Sequence, residues 1–302
     1  MKPSKTIIIS GAYGFIGSFL TESLLSKGYR VIGIVKEEKD ISGLLTDVDW
    51  CTIDNLENKA NLGKVKSIIH LATSYGWQGD TSGTLNANLV LPVRLLQTAL
   101  KNEIQIFIST DSFFSKHEGS YGHMPEYILS KRQFSDWMRI LSEKSEKTSV
   151  LNLQLEHVYG ERDRREKFFP QLVESLILND PINLTLGKQK RDFIHVNDVV
   201  AAYEAILTSS ELKVGFEKIE VGTGTSTSLK DFVTIAKKIS GSNSELNFGN
   251  LEYRRNEIMY SCANTTKLSL HGWKKTIDLE EGLRSAIRAT KLSIHAKKEE
   301  NS

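Results

Sequence analysis

Apolar residues follow two alternating patterns through the first half of the chain. Short consecutive runs, which predict strands buried on both faces of a parallel sheet, stand at 7–9, 29–35, 50–53, 67–72 and 104–109. Apolar residues three and four positions apart, which predict helices, stand at 15–24, 85–100 and 127–141. Strands that alternate with helices predict an α/β fold built on a doubly wound parallel sheet.

Three glycines, Gly11, Gly14 and Gly17, separate the first strand from the first helix. Such a turn lets a ligand approach the backbone, and the helix N-terminus above Gly11 offers free N–H groups to a pyrophosphate. The spacing alone is a weak signal, but its place between an apolar strand and an amphipathic helix is the context that a dinucleotide site needs. The sequence therefore predicts a Rossmann-type cofactor domain with contacts from Gly11, Tyr13, Gly14, Phe15, Ile16 and Gly17.

Lys36 stands at the end of the second predicted strand, where NAD and NADP are distinguished. An acidic side chain there would bind the ribose 2′-hydroxyl of NAD, whereas a cation accommodates the 2′-phosphate of NADP. Lys36 therefore favours NADP(H) over NAD(H). Glu37 and Glu38 follow directly, and the alternative that all three belong to a solvated loop stays open.

Further cofactor contacts are predicted where later strands end. Asp54 and Asn55 could reach the adenine, although Asp54 could equally cap the next turn. Small residues after the fourth strand would let the cofactor ribose lie against the backbone, and we assign to the cofactor Leu71, Ala72, Thr73 and, on the next helix, Asn88. Ser74 and Tyr75 come next, and we assign them to the substrate.

Composition narrows the function classes. A chain of 302 residues with 39% hydrophobic residues suits one large or two modest domains. Its 39 basic and 37 acidic residues nearly cancel, which gives no electrostatic case for nucleic acid or membrane binding. Cys51 and Cys262 are too few cysteines for a disulfide framework or a structural zinc site, so no metal is expected. No apolar run approaches about 18 residues and no signal peptide is predicted, so we expect a cytoplasmic protein.

Tyr127 and Lys131 lie four residues apart on a predicted helix and therefore project from one face. An ammonium group that close favours phenolate and lowers the tyrosine pKa, although one lysine hardly brings it to neutrality. With a reduced cofactor bound, Tyr127 is expected to act as an acid. Taken alone, a tyrosine and a lysine at this spacing are more often ordinary helix surface than a catalytic pair. Thr110, Asp111 and Ser112 follow the preceding strand and enter the ligand crevice of an open sheet by position.

Four motifs in this order resemble the extended short-chain dehydrogenase/reductases, the nucleotide-sugar epimerase/dehydratase group. They are the three N-terminal glycines, Thr110, the Tyr127 and Lys131 pair, and the stretch 191–198. The resemblance implies that Thr110 helps to hold the sugar carbonyl oxygen, that Tyr127 is the acid/base, and that Lys131 binds the nicotinamide ribose and tunes Tyr127. It also implies that Arg191 and Arg254 hold the phosphates of the nucleotide.

Two departures from the family pattern narrow the reaction. Ser112 stands where the 4,6-dehydratases carry a glutamate after an aspartate, and because a serine cannot serve as that base, dehydration is not expected. His157 replaces the asparagine of an Asn-Val-Tyr-Gly-Pro motif. We expect it to contact the sugar or phosphate in place of that amide.

The second half of the chain resembles one subgroup of this family, the CDP-paratose and CDP-abequose synthases. The stretches 155–160, 189–193, 219–224 and 254–263 carry that resemblance. It implies NADPH-dependent reduction of the 4-keto group of a CDP-linked 3,6-dideoxyhexose, for O-antigen in lipopolysaccharide biosynthesis. Two alternatives stay open: a 4-epimerase that retains NAD(P), and a non-catalytic nucleotide-binding protein on the same scaffold.

Chain organisation follows from these assignments. Residues 1–156, with a returning segment at about 190–210, are expected to form the cofactor domain. Residues 157–189 and 211–290 are expected to form a smaller C-terminal lobe that binds the nucleotide sugar, and 291–302 a flexible charged tail.

Two expectations concern the surface. The stretch 115–124, with two glycines and little periodicity, is predicted to be a mobile loop beside the site. The family resemblance also implies a homodimer that pairs through the helices at 85–100 and 127–141.

Overall fold

The computed structural model describes residues 6–37, 40, 45–57, 62–77, 79–116 and 123–300, with the backbone alone at residue 63 and residues 293–300. Most of the predicted loop, residues 117–122, lies outside the described residues, as does Glu38. The chain divides into two compact units. The first comprises residues 1–155, 200–221 and 266–273, and the second comprises residues 156–199, 222–265 and 274–302.

Consecutive apolar residues form the strands of the first unit, as the pattern predicts. Ile7, Ile8 and Ile9 have no solvent exposure, so both faces of the first strand are covered. The strands are β1 (Thr6–Ser10), β2 (Arg30–Val35), β3 (Asp49–Thr52), β4 (Val65–His70), β5 (Ile106–Ser112), β6 (Ser149–Leu155), β7 (His157–Tyr159), β8 (Ile182–Leu184), β9 (Lys190–Arg191), β10 (Phe193–His195), β11 (Gly215–Val221), β12 (Thr227–Ser228) and β13 (Leu246–Phe248).

Seven of these strands, counted over the described residues, form one sheet in the order β11-β6-β5-β4-β1-β2-β3. All neighbouring pairs are parallel. The chain therefore winds outward from β1 in both directions, which confirms the predicted doubly wound α/β fold.

Helices follow the strands, and their apolar faces cover the sheet. They are α1 (Phe15–Ser26), α2 (Ile53–Glu57), α3 (Thr81–Leu85), α4 (Leu91–Lys101), α5 (Pro125–Ser142), α6 (Phe168–Leu178), α7 (Val196–Thr208), α8 (Leu229–Ser240), α9 (Thr266–Leu270) and α10 (Leu279–Glu300). In the first unit, Leu95 of α4 and Phe134 and Met138 of α5 pack with Phe107 of β5 in one buried cluster. Within the described ranges, no helix combines the length and hydropathy that crossing a bilayer requires.

The second unit has its own hydrophobic core. Phe169 of α6, Phe232 of α8 and Leu283 of α10 are buried there with Phe193 of β10. The Phe193 and Phe232 rings stack with their centroids 3.9 Å apart. Short strand pairs β7–β10, β8–β13 and β9–β12 complete this unit.

Several boundaries differ from those expected. Residues 211–221, which include the strand β11 paired with β6, and residues 266–273 belong to the first unit, while residues 190–199 belong to the second. The helix predicted at 85–100 begins at Thr81, since α3 continues through a π-helical turn at Asn86–Val90 into α4. The last helix runs to Glu300, beyond the predicted start of the charged tail.

Candidate cofactor and catalytic site

The carboxyl ends of β1, β4 and β5 meet at one edge of the sheet. Ser10 is paired in register with His70, and His70 with Ser109. The next residue along the chain in each case, Gly11, Leu71 and Thr110, therefore lies at the same edge, with Thr110 still inside β5. This edge is where an open α/β sheet binds ligands.

The glycine turn is built for close approach of the backbone. Gly11 has a φ of +77°, and a Cβ there would lie 2.5 Å from the Ala72 nitrogen. A Cβ on Gly17 would overlap the carbonyl oxygen of Gly11, so α1 can lie this close to the turn only without a side chain there. The Ser10 carbonyl oxygen accepts hydrogen bonds from the Leu71 and Ala72 amides, at 2.9 and 3.0 Å. The turn and the end of β4 thus form one cradle that fits a pyrophosphate.

The other predicted residues of this turn lie around the cradle. Phe15 and Ile16 are the first two residues of α1 and are partly exposed. Tyr13 is 54% exposed, and its ring lies edge-on to Trp50 at 6.1 Å. Trp50 in turn covers Gly33, where a Cβ would strike the indole ring. An aromatic wall therefore stands beside the turn.

Lys36 is exposed at the end of β2, as the NADP prediction requires. The Asp54 carboxylate forms an ion pair with Arg94 at 2.5 Å, a contact that was not predicted. The capping alternative is wrong for Asp54, since the Thr52 hydroxyl accepts the Asn55 amide proton instead, at 3.3 Å. An adenine contact from Asp54 or Asn55 stays a prediction.

Asn88 is fully buried, and its amide is saturated by protein groups. Its oxygen accepts hydrogen bonds from the Thr73 hydroxyl and the Ser74 amide, at 3.1 and 2.9 Å. Its nitrogen donates to the Ser74 carbonyl and the Ser130 hydroxyl, at 2.8 and 3.0 Å. An amide has two donors and two acceptor lone pairs, so no capacity remains for a cofactor. We correct the assignment: Asn88 positions the Thr73–Ser74 backbone instead.

Lys131 is buried on the inward face of α5 with Tyr127. Its amine donates a hydrogen bond to the Thr110 carbonyl oxygen at 2.8 Å. Burial lowers the pKa of Lys131 to about 8, against a smaller opposing effect of Asp111. The helix thus places the two residues one turn apart, as predicted from their spacing.

Tyr127 is a buried and strongly protonated phenol. Burial raises its pKa well above 10, and Tyr75 and Asp111 raise it further, whereas Ser112 lowers it. The expected lowering of this pKa by Lys131 is wrong, because desolvation outweighs any effect of the amine. Tyr127 is therefore suited to donate a proton.

Asp111 and Ser112 differ in how many hydrogen bonds they already form with the protein. The buried Asp111 carboxylate accepts hydrogen bonds from the Ser112 amide, the Ser115 hydroxyl and the Asn152 amide, at 2.7, 2.7 and 3.1 Å. It therefore holds Ser112 and Ser115 against β6, and a substrate contact from Asp111 stays a prediction. The Ser112 hydroxyl lies near the Tyr127 phenol and lowers its pKa through a hydrogen-bonding interaction, and it has no other partner among the described residues. Ser112 can still bind a substrate.

Thr110 is fixed through two of its atoms. Its carbonyl oxygen binds Lys131, and its hydroxyl lies 2.6 Å from the hydroxyl of Tyr203 on α7. The sequence did not indicate Tyr203, because in the helical pattern it is one more core position.

An aromatic pair borders the Tyr127 phenol. The Tyr75 ring lies 5.1 Å from the Tyr127 ring and stacks on Trp77 at 4.8 Å, with 15° between the planes. Trp77 is 47% exposed. Trp77 is not among the predicted site residues, although an aromatic residue two positions after Tyr75 in a loop indicates a second side chain at the site.

In the second unit, Arg191 and Arg254 both contact Glu257. The buried guanidinium of Arg191 forms an ion pair with Glu257 at 2.5 Å, and the Glu257 amide donates to the Arg254 carbonyl at 3.0 Å. Arg254 is exposed. Phosphate binding by both arginines stays a prediction, and at Arg191 a phosphate would share the guanidinium with a carboxylate.

His157 is a partly exposed, neutral histidine in β7. Desolvation, together with the charges of Arg191 and Lys167, lowers its pKa to about 3. Its ring lies edge-on to Phe193 at 5.7 Å. A neutral imidazole can both donate and accept a hydrogen bond, like the amide that it replaces. A contact of His157 with the substrate stays a prediction.

Comparisons with known proteins identify the family of this chain. The model described as the NAD dependent epimerase/dehydratase family matches residues 7–222. The CDP-abequose synthase of Salmonella typhimurium is 39% identical over 293 residues, covering 93% of this chain and 97% of the relative. That of Salmonella muenchen is 37% identical over 286 residues, covering 94% and 97%.

A solved structure has the same fold. The UDP-glucuronic acid 4-epimerase of Bacillus cereus, in complex with UDP-glucuronic acid and NAD, superimposes with a TM-score of 0.79 at 23% identity. The match covers 95% of this chain and 99% of that one. The chain therefore belongs to the NAD dependent epimerase/dehydratase family, as its four motifs predict.

Proposed function

We propose that the protein is an NADPH-dependent oxidoreductase that reduces the 4-keto group of a CDP-linked 3,6-dideoxyhexose. The observation that carries this proposal is the identity of 37–39% to two CDP-abequose synthases over nearly the whole of each chain. The buried Tyr127 beside Lys131 supplies the matching chemistry. The product would enter O-antigen and lipopolysaccharide biosynthesis.

The residues of the first unit have distinct tasks in this reaction. When bound, NADPH would supply the hydride for carbon C4 of the sugar. Tyr127 would donate its phenolic proton to the ketone oxygen, which becomes the C4 hydroxyl, and Thr110 and Ser112 would hold that oxygen. Lys131, as an ammonium, would stabilise the phenolate left behind. The raised pKa of Tyr127 supports the direction of this proton transfer.

The choice of NADP(H) rests on Lys36. Its exposed amine at the end of β2 suits a ribose 2′-phosphate, and an acidic residue, which would suit NAD, is absent from that position. The glycine cradle would receive the pyrophosphate.

Two sets of residues, each within one unit, support the proposed substrate. Arg191 and Arg254 would bind the diphosphate of the CDP group, where paired guanidinium groups match the charge. Tyr75 and Trp77 form an apolar wall beside the acid, which suits a hexose lacking hydroxyls at C3 and C6.

A homodimer and a cytoplasmic location belong to the same proposal. Leu129, Trp137 and Ile140 lie on one face of α5 and are 45%, 47% and 46% exposed. Such a face on a helix of the cofactor domain suits pairing with a second copy.

The deciding experiment is an assay of NADPH oxidation with CDP-, dTDP- and GDP-linked 4-keto sugars, with products identified by NMR. We expect one NADPH consumed per C4 alcohol formed, with the CDP-linked 3,6-dideoxy ketone as the best substrate. Turnover without net loss of NADPH absorbance would identify a 4-epimerase instead. Failure to turn over any substrate while binding the nucleotide would identify a non-catalytic protein.

A Tyr127→Phe variant separates catalysis from binding. Loss of the acid should lower kcat by about 10²- to 10⁴-fold while NADPH still binds. Tyr29→Phe is the control, because Tyr29 directly precedes β2, at the opposite end of that strand from Lys36. Equal activity of the two variants would refute the role of Tyr127.

A further inference from the structure

Tyr203 of α7 is a phenol with no solvent exposure. Its hydroxyl lies 2.6 Å from the Thr110 hydroxyl, and among the described residues that hydroxyl is its hydrogen-bond partner. Burial raises the pKa of Tyr203, so the group stays protonated throughout the working pH range. It is therefore a permanent neutral hydroxyl set against a proposed substrate-binding residue.

The chemistry of the two hydroxyls fixes the direction of this bond. A phenol has a pKa near 10, far below that of an aliphatic alcohol, and is the better donor, while the alcohol oxygen is the better acceptor. Tyr203 should therefore donate to Thr110. A threonine hydroxyl carries one proton and two lone pairs, so Thr110 keeps its own proton for another acceptor.

Thr110 is also held on its other side. Lys131 binds its carbonyl oxygen, which fixes the main chain at the end of β5, and Tyr203 binds its hydroxyl, which fixes the side chain. A free threonine side chain has three staggered rotamers, and this contact selects one of them. The Thr110 hydroxyl is thereby pre-oriented before a ketone arrives.

We propose that Tyr203 is a positioning residue, which acts through Thr110 by directing the Thr110 proton to the oxygen of the bound ketone. Hydrogen bonds in a chain polarise one another, so donation by Tyr203 also makes Thr110 a stronger donor as negative charge develops on that oxygen. The proposal rests on the proposed ketone reduction. It adds to that function a residue that never touches the substrate.

A double-mutant cycle tests this role. We expect Tyr203→Phe, which keeps the ring and removes the hydroxyl, to lower kcat about tenfold and to change the KM for the keto sugar less than twofold. In a Thr110→Ala background, the same substitution should change kcat less than twofold. In a Thr110→Ser background, which retains a hydroxyl, the roughly tenfold loss should persist.

Tyr159→Phe is the matched control, since Tyr159 is 2% exposed and belongs to the core of the second unit. It should lower the melting temperature without lowering kcat. The proposal is overturned if Tyr203→Phe retains wild-type kcat, or if it lowers kcat by one factor in all three backgrounds.

The melting temperatures of the same variants give a readout that needs no activity. If the two hydroxyls are bonded, the losses of Tyr203→Phe and Thr110→Ala should be less than additive in the double variant. Additive losses would refute the bond itself. A wild-type protein without any keto-sugar activity would instead refute the proposed function, which the melting temperatures do not test.

Discussion

The amine of Lys131 lies 2.8 Å from the carbonyl oxygen of Thr110, so two proposed catalytic residues from α5 and β5 are joined directly. Tyr127 and Lys131 of α5 are both buried, and desolvation shifts their pKa values in opposite directions. The pKa of Lys131 falls to about 8, while that of Tyr127 rises well above 10. Between these values the tyrosine remains an acid and the lysine changes charge.

Activity should therefore fall in alkali because of Lys131. The ammonium is present below its pKa of about 8 and is lost above it, so kcat/KM should decline above that pH by about tenfold per pH unit. Initial rates between pH 6 and pH 10 measure this decline in kcat/KM. Tyr127 should not ionise within that range, so one ionisation should describe the profile.

Lys131→Arg tests whether Lys131 causes this alkaline decline in kcat/KM. A guanidinium keeps its charge throughout the range, so the rate should be lower but the decline near pH 8 should disappear. Persistence of the same decline in Lys131→Arg would assign it to another group.

Exchange of Lys36 should shift the cofactor preference. Removing a charged partner of the 2′-phosphate costs about 1.5–3 kcal/mol, so Lys36→Asp should change the ratio of kcat/KM for NADPH to that for NADH by roughly 10- to 100-fold. Lys36→Gln should give an intermediate ratio. An unchanged ratio in both variants would exclude a phosphate contact.

Trp77 should contribute to affinity for the sugar. Loss of an aromatic contact costs about 0.5–1.5 kcal/mol beyond its area, so Trp77→Ala should raise the KM for the keto sugar by up to about tenfold with kcat little changed. Trp77→Phe retains a stacking face and should have a smaller effect. The preference for a sugar without the C3 hydroxyl should shrink in Trp77→Ala, and a constant preference would contradict the apolar-wall interpretation.

Asp192 should be a large contributor to the stability of the second unit. Its fully buried carboxylate accepts hydrogen bonds from the Thr223 amide and hydroxyl and from the Gly224 and Ala263 amides, at 2.6–3.1 Å. Each stranded donor costs about 1–3 kcal/mol, so Asp192→Ala should lower the free energy of unfolding by more than about 3 kcal/mol. Chemical denaturation measures this value.

Asp136→Ala is the control for that measurement. The Asp136 side chain is 69% exposed and forms a 3.7 Å contact with Arg139, so its loss should cost under about 0.5 kcal/mol. A similar cost for both variants would show that the buried hydrogen bonds of Asp192 are not the cause.

The exposed face of α5 predicts which substitutions would disrupt the proposed dimer. Trp137→Glu and Ile140→Glu should convert a dimer to a monomer in light scattering after size exclusion, because each buries a charge in an apolar contact. Leu270→Glu is the control, since Leu270 is 68% exposed on α9 and should leave the dimer intact. A wild-type monomer at micromolar concentration would refute the dimer.

Local sequence patterns predicted the parallel sheet and the helix that carries Tyr127 and Lys131. Runs such as Ile7–Ile9 predict buried parallel strands, and the four-residue spacing of Tyr127 and Lys131 predicts one face of a helix; both are found. These features depend on periodicity and glycine geometry, which are properties of neighbouring residues.

Features that depend on distant contacts were not predictable in this way. Asn88 looked like a cofactor ligand, but its amide is consumed by Thr73, Ser74 and Ser130, and no local pattern encodes that saturation. The pKa of Tyr127 is raised by burial, whereas the nearby lysine predicted a lower value, because burial depends on the packing of the whole helix. Tyr203 reaches Thr110 from 93 positions further along the chain.

The stacked arrangement of Tyr75 and Trp77 gives the protein an intrinsic optical reporter. An indole that is nearly half exposed emits light according to its surroundings, and a neighbouring phenol can transfer excitation energy to it. A ligand that covers this pair would change the Trp77 emission. The arrival of a sugar could then be followed by fluorescence, without a label and before any hydride has moved.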